Sequence, residues 1–143
     1  MLSKLLIAWA LLAACVVIHA LGVTTIARAL QRSLPSGGRF WPWTWVFIRV
    51  AGWIILLHLA EISAWAVVYA WQGAMPDMQA ALYFSGVTYT TTGYGDLVLP
   101  PEWRLVGAIE ALTGIMMCAW STGFFVAVVG RMIRPDQSVG GTG

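Results

Sequence analysis

Apolar positions along the chain gather into three long runs separated by short polar breaks. A helix needs about 20 mainly apolar residues to cross a bilayer core. The first run, Leu5 to Ala27, meets that length with only His19 and a few small polar residues inside it. A break follows from Gln31 to Pro42, where Pro35, Ser36, Gly37 and Gly38 supply turn chemistry between Arg28, Arg32 and Arg39. The second run extends from about Trp43 to Trp71, carries Arg49, His58 and Glu61, and ends at Gly73 and Pro76. The third opens near Glu102 and continues to about Ile133. Between the last two lies Pro76 to Pro101, too short and polar for a span and too apolar for an ordinary exterior loop. Its first half, Asp77 to Tyr89, predicts a short helix, with Pro76 and Asp77 at a suitable start because proline lacks a donor that the first turn leaves unpaired.

Composition turns these runs from buried core into membrane spans. Of 143 residues, 59% are apolar and 10% charged, against about 45–50% and 25% in soluble domains. Mean hydropathy is +0.78 and there are nine tryptophans. Trp41, Trp43, Trp45, Trp71 and Trp103 fall at the expected interface levels and read as a membrane belt. A net charge of +2, with arginines standing singly, sets nucleic-acid binding aside. Cys15 and Cys118 lie in apolar runs without a CxxC or a Cys/His cluster, so neither a disulfide framework nor a zinc site is readable. Leu12-Ala13-Ala14-Cys15 has the form of a lipoprotein cleavage box, but a cleaved signal gives way to polar sequence, whereas Val16 to Val23 stays apolar. The first span is therefore read as retained.

Arginine placement orients the spans. Arg28, Arg32, Arg39 and Arg49 cluster where the first two spans meet, and Arg131 and Arg134 follow the third. Basic residues concentrate in cytoplasmic segments, so both ends are expected inside, with the N-terminus and the Pro76–Pro101 segment outside. The expected organisation is a transmembrane helix over residues 1–30, a cytoplasmic linker over 31–42, a domain of two spans with a short helix and loop between them over 43–134 and a short Gly-rich tail over 135–143.

Thr90-Thr91-Thr92-Gly93-Tyr94-Gly95-Asp96 carries the chemistry. Irregular backbone at membrane depth is tolerated only where it is buried in protein or lines water. Glycine at alternate positions permits backbone angles closed to other residues, so successive carbonyls can face one axis as a ladder of cation sites. In that arrangement Thr91 adds a hydroxyl at the inner end, while Thr92 and Tyr94 turn outward and brace the loop.

From these residues the chain resembles the potassium-channel pore family, whose signature T-V-G-Y-G-D is met by Thr91 to Asp96 at five of six positions. The resemblance covers roughly Trp43 to Arg131 and excludes the first span. It implies an all-α membrane protein with three transmembrane helices, a re-entrant pore helix and a selectivity-filter loop, assembled as a homotetramer because one chain has one loop. It further implies potassium-selective passive conduction, with K+ held at Thr91, Thr92, Gly93 and Tyr94, and Gly95 closing the ladder. Tyr83, Phe84 and Asp96 take filter-support positions, and Asp96, Pro100 and Arg104 match the family's turn into the inner helix. Gly114 falls at a hinge position, with a close contact of the small residues Gly114, Ala119 and Gly123 as the alternative. Ile115, Cys118 and Thr122 line the cavity below the filter. Thr92 stands where the signature has valine and adds a hydroxyl that needs a partner. The expected location is a cell membrane, the inner one in a bacterium.

Three ionisable groups inside the spans are functional hypotheses by position: Glu61, Glu110 and His58. Each reads as a buried, hydrogen-bonded packing group or as a proton-sensitive regulatory one. Glu61 is expected to face the pore helix or the first span. As a metal site His58 and Glu61 give two ligands, too few without a third from another span, and His19 reads as a packing residue. No nucleophile and base pair, phosphate loop or metal constellation argues for an enzyme, and no organic cofactor is expected. Neither a voltage-sensor arginine series nor a ligand-binding domain is visible, so the gating stimulus is open and a separate regulatory subunit stays among the candidate partners beside lipid. A weakly selective cation channel, motivated by Thr92, and a non-conducting subunit docking through the first span are the alternative functions.

Overall fold

The computed structural model describes residues 1–33 and 40–133. The expected turn Pro35 to Gly38, Arg39, Arg134 and the 135–143 tail lie outside the described residues. Among the described residues four α-helices run in chain order: α1 (Leu2–Ser33), α2 (Phe40–Trp71), α3 (Met78–Tyr89) and α4 (Arg104–Ile133), the last entered through a 3-10 turn at Pro101–Trp103. Helices α1 and α2 have 32 residues each, about 48 Å at about 1.5 Å per residue. They overrun the apolar windows read from sequence because helical hydrogen bonding continues past the last apolar residue.

Local chemistry fixes the break between α2 and α3. Gly73, at φ 65°, ends α2. Its N–H donates to the Ala70 carbonyl at 3.2 Å and the Ala74 N–H to Tyr69 at 2.9 Å, the paired bonds of a Schellman cap. Four residues later Asp77 caps α3, its carboxylate accepting from the Ala80 N–H at 2.8 Å. Two such signals so close together turn the chain back sharply, and α3 packs against both α2 and α4.

Helix α1 lies against α2 and α4. Its buried positions Ala8, Leu11, Cys15, His19 and Ile26 form one stripe of the three-and-four spacing that keeps residues on one helix face. The main core joins Ala8, Leu11 and Cys15 of this stripe to Trp65 and Tyr69 of α2, Phe84 and Tyr89 of α3, and Val106 and Met117 of α4. A smaller cluster of Ile26, Val46, Val50 and Val128 closes the other end. At the α3 end Lys4 pairs with Glu102 at 3.8 Å and lies 4.7 Å over the Trp103 ring, so the start of α1 and the segment before α4 share one side.

Helices α1, α2 and the 101–131 segment are each long and apolar enough to cross a membrane. Most of each apolar window faces outward, which suits lipid or neighbouring chains better than water. The tryptophan belt needs correction. Trp41, Trp45 and Trp71 are exposed, but Trp43 and Trp103 are 6% and 4% exposed and belong to the interior: Trp43 packs beside Phe47 of its own helix, and Trp103 meets Tyr69 of α2 edge-on.

Candidate functional site

The residues that follow α3 have an unusual backbone. Thr91, Gly93 and Gly95 take φ of 59°, 56° and 77°, while the intervening Thr92 and Tyr94 do not enter that region. A β-branched residue at positive φ is a genuine outlier, so Thr91 is held there by its surroundings. Backbone bonds from Thr91 N–H to the Thr88 carbonyl at 2.9 Å, and from Gly93 N–H to Val87 at 3.0 Å, tether the loop to the last turn of α3. The Thr90 hydroxyl donates to the Gly86 carbonyl at 2.7 Å and lies 3.0 Å from that of Thr92. The hydroxyl that Thr92 brings therefore has a partner within the loop.

Residues Thr90 to Asp96 are exposed on the single chain, Tyr94 at 72%. The Tyr83 hydroxyl donates to Asp96 at 2.7 Å, joining the outer half of α3 to the end of the loop. That hydrogen bond holds the Asp96 carboxyl below, and the Tyr83 phenol above, their ordinary pKa values. Phe84 points the other way, edge-on to Tyr69 with ring centres 5.5 Å apart. The Arg104 guanidinium donates to the Leu99 carbonyl at 3.4 Å at the entry to α4.

Along α4, Ile115, Cys118 and Thr122 are all exposed and share one face. Gly114 meets α3 instead: a Cβ there would lie 1.9 Å from the Tyr89 carbonyl oxygen, whereas one on Gly123 would meet nothing within 4 Å. Close approach at Gly114 is thus to the end of α3, and Gly123 takes no part in it.

Behind the loop lies a buried polar cluster drawn from all four helices. Glu61 is fully buried and accepts from His19 Nδ1 at 2.9 Å and from the Tyr89 hydroxyl. His58 Nδ1 lies 3.4 Å from the second Glu61 oxygen and 3.1 Å from the Tyr89 hydroxyl. Ser121 Oγ is 3.2 Å from His19 Nε2 and 3.1 Å from His58 Nε2. The five contacts to His19 Nδ1, Tyr89, His58 Nδ1 and the two Nε2 atoms each need a hydrogen. Two neutral imidazoles and two hydroxyls supply four hydrogens, one fewer than these contacts.

Glu110 sits apart from this group. It is fully buried, and one oxygen accepts from the Tyr69 hydroxyl at 2.9 Å. Its other oxygen is buried near the Ser85 hydroxyl, and neither has a further partner among the described residues.

The geometry corrects the reading of His19 as a packing residue, since the Glu61 carboxylate and Ser121 hydroxyl hold both its nitrogens. It also places His19 as a third candidate ligand beside His58 and Glu61, and residue reasoning missed His19, Tyr89 and Ser121 in this cluster and Tyr69 as the partner of Glu110. The one sequence signal was His19 falling on the Ala8–Leu11–Cys15 stripe.

A family model described as ion channel matches residues 43–131, well over half of the chain. The chain belongs to that ion-channel family. It is a multi-pass membrane protein of a family that conducts ions passively. The match begins in α2 and ends in α4, leaving α1 outside it. No curated protein and no solved structure matches the chain.

Proposed function

We propose that this ion channel is a homotetrameric, potassium-selective pore in which Thr91 to Gly95 form the selectivity filter and α3 is the re-entrant pore helix. The observation that carries the reading is the alternation of positive φ at Thr91, Gly93 and Gly95. Alternating left- and right-handed torsions gather like backbone groups on one side, so the carbonyls of Thr91, Thr92, Gly93 and Tyr94 become a row of oxygens. Four copies around an axis replace the waters that a potassium ion sheds. Exposure of the whole loop on a single chain fits a surface completed by neighbours, with Tyr94 covered in the assembly.

Ile115, Cys118 and Thr122 then line the cavity under the filter, and the C-terminal end of α3 turns its partial negative charge toward the ion there. Tyr83 and Asp96 hold the filter's outer end. The N-terminus lies outside and the C-terminal side of α4 in the cytoplasm, as arginine placement argues. The Lys4–Glu102 pair supports a common side for the start of α1 and the loop.

Potassium flux through the purified protein alone in liposomes, against sodium, tests the proposal. Selective potassium uptake is expected. Equal sodium and potassium flux would favour the weakly selective channel that Thr92 motivates, and no flux at all would favour a subunit that needs another channel. The buried stripe of α1 is already occupied by α2 and α4 of its own chain, which speaks against docking through that stripe.

A further inference from the structure

Both imidazoles of the buried cluster turn the same ring nitrogen toward the same carboxylate. His19 Nδ1 and His58 Nδ1 lie 2.9 and 3.4 Å from the two oxygens of Glu61, and donor atoms of all three residues fall within 4.8 Å of one another. Donors about 2.0–2.2 Å from a common tetrahedral centre stand about 3.3–3.6 Å apart. The His58–Glu61 separation already has that value, and the His19 contact needs to open by a few tenths of an ångström. His19 and Glu61 side chains are wholly inaccessible and that of His58 is 17% exposed, so water is largely kept from competing.

The opposite ring nitrogens converge as well. Both Nε2 atoms point at Ser121 Oγ. A histidine bound to a metal through one nitrogen donates its other N–H to an acceptor that fixes the ring. One hydroxyl oxygen has two lone pairs and can accept from both rings at once. Without a cation that hydroxyl has a single proton for its two imidazole contacts.

We propose that His19, His58 and Glu61 bind one divalent transition cation of the zinc type, with Ser121 orienting both imidazoles and the Tyr89 oxygen beside the fourth position. Two imidazoles and one carboxylate suit zinc and its neighbours, whereas calcium and magnesium take oxygen ligands. For both Nδ1 atoms to ligate, each neutral imidazole carries its one proton on Nε2, where the Ser121 oxygen accepts it. The cation ties α1 to α2 and, through Tyr89, to the end of α3 where the Thr90–Asp96 loop begins. It gives the helix outside the family match a regulatory hold on that loop.

The test uses full-length protein freed of any affinity tag, stripped with chelator and dialysed against low-micromolar zinc chloride. Zinc stoichiometric with the chain and a raised melting temperature are expected. Glu61→Gln and His19→Gln should each abolish retention, and Ser121→Ala, which keeps all three ligands, should weaken affinity about 10–100-fold. Cobalt(II) in the unmodified protein should give tetrahedral ligand-field bands without thiolate charge transfer, a readout that survives if a variant fails to fold. Absence of zinc from the parent, undiminished binding by His19→Gln, or a thiolate band from Cys15 or Cys118 would each overturn the site. Zinc retention is read without any flux, so its failure is distinct from a failure of potassium selectivity.

Discussion

The two sides of the Thr90–Asp96 loop are built on opposite plans. Its front is backbone: three residues at positive φ, exposed, with open space where a Cβ on Gly93 or Gly95 would stand. Its back is side chain: Glu61, His19, Tyr89 and Ser121, buried, with the half-buried His58, all mutually hydrogen-bonded. A backbone ladder selects by where its oxygens lie and needs other chains to complete it. The side-chain cluster is complete within one chain and holds the loop's root still. Damage to the front should therefore remove function at little cost to the fold, and damage to the back should do the reverse first.

The sharpest break of this comparison is Gly93→Ala. Nothing in the chain lies near the added methyl, so the cost is the left-handed backbone itself, about 1–2 kcal/mol for a residue with a Cβ. The folded chain should persist, with its melting temperature lowered by a few degrees, while potassium flux in liposomes disappears. A variant with normal flux and selectivity would remove the filter assignment.

Glu61→Ala attacks the back. Removing one partner of a buried charged network leaves the other unpaired, at about 3–5 kcal/mol. Here the melting temperature should fall most of any variant named, and whatever protein still folds should keep potassium over sodium. Loss of selectivity with unchanged stability would show that the cluster acts on the filter directly.

These two sides are unequally legible in the sequence. The front is a local pattern, seven consecutive residues whose glycine spacing carries its own physical meaning, so those residues alone place the loop. Asp77 announces the start of α3 in the same local way, as its N-cap, whereas Pro76 stands before the cap and not in the first turn. The back is not local: its contacts span 28, 42, 63 and 102 residues. His19 stands as the lone imidazole in an apolar run, and no spacing rule connects it to Ser121. Glu61 could be expected to find a partner, because a carboxylate in lipid cannot go without one, and its partners lie on the end of α3 and on α1, the two elements named for it. The inward packing of Trp43 and Trp103 is hidden for a related reason, since interface level along a span does not say which way the ring turns.

Gly114→Ala sharpens the join between the two sides. Its methyl would collide with the Tyr89 carbonyl, a backbone atom that cannot swing away, and overpacking of this kind costs about 1–3 kcal/mol. The end of α3 should be pushed off α4, lowering both melting temperature and flux. Gly123→Ala, with open space on the same helix, should leave the melting temperature of the single chain's fold unchanged. Equal behaviour of the two variants would mean that Gly114 serves only as a flexible point.

The smallest effect is expected at Tyr83→Phe, which removes the side-chain bond at the outer end of the loop. Both partners are open to water, so the fold should not notice. The Tyr83 hydrogen bond lowers the Asp96 pKa, so what this contact adds is present above the ordinary carboxylate value of about 3.9 and is lost as pH falls through the depressed one. Asp96 raises the Tyr83 pKa, so the contribution is equally present below the ordinary phenol value of about 10 and fades as pH rises through the raised one. Between about pH 5 and 8 the contact is therefore constant, and any pH response of parent flux in that window has another source. Tyr83→Phe should leave that response unaltered while making potassium current decay sooner during sustained conduction, since the outer end of the loop has lost its tether. A flattened pH response in Tyr83→Phe over that window would show that this exposed pair, and not the buried back, senses protons.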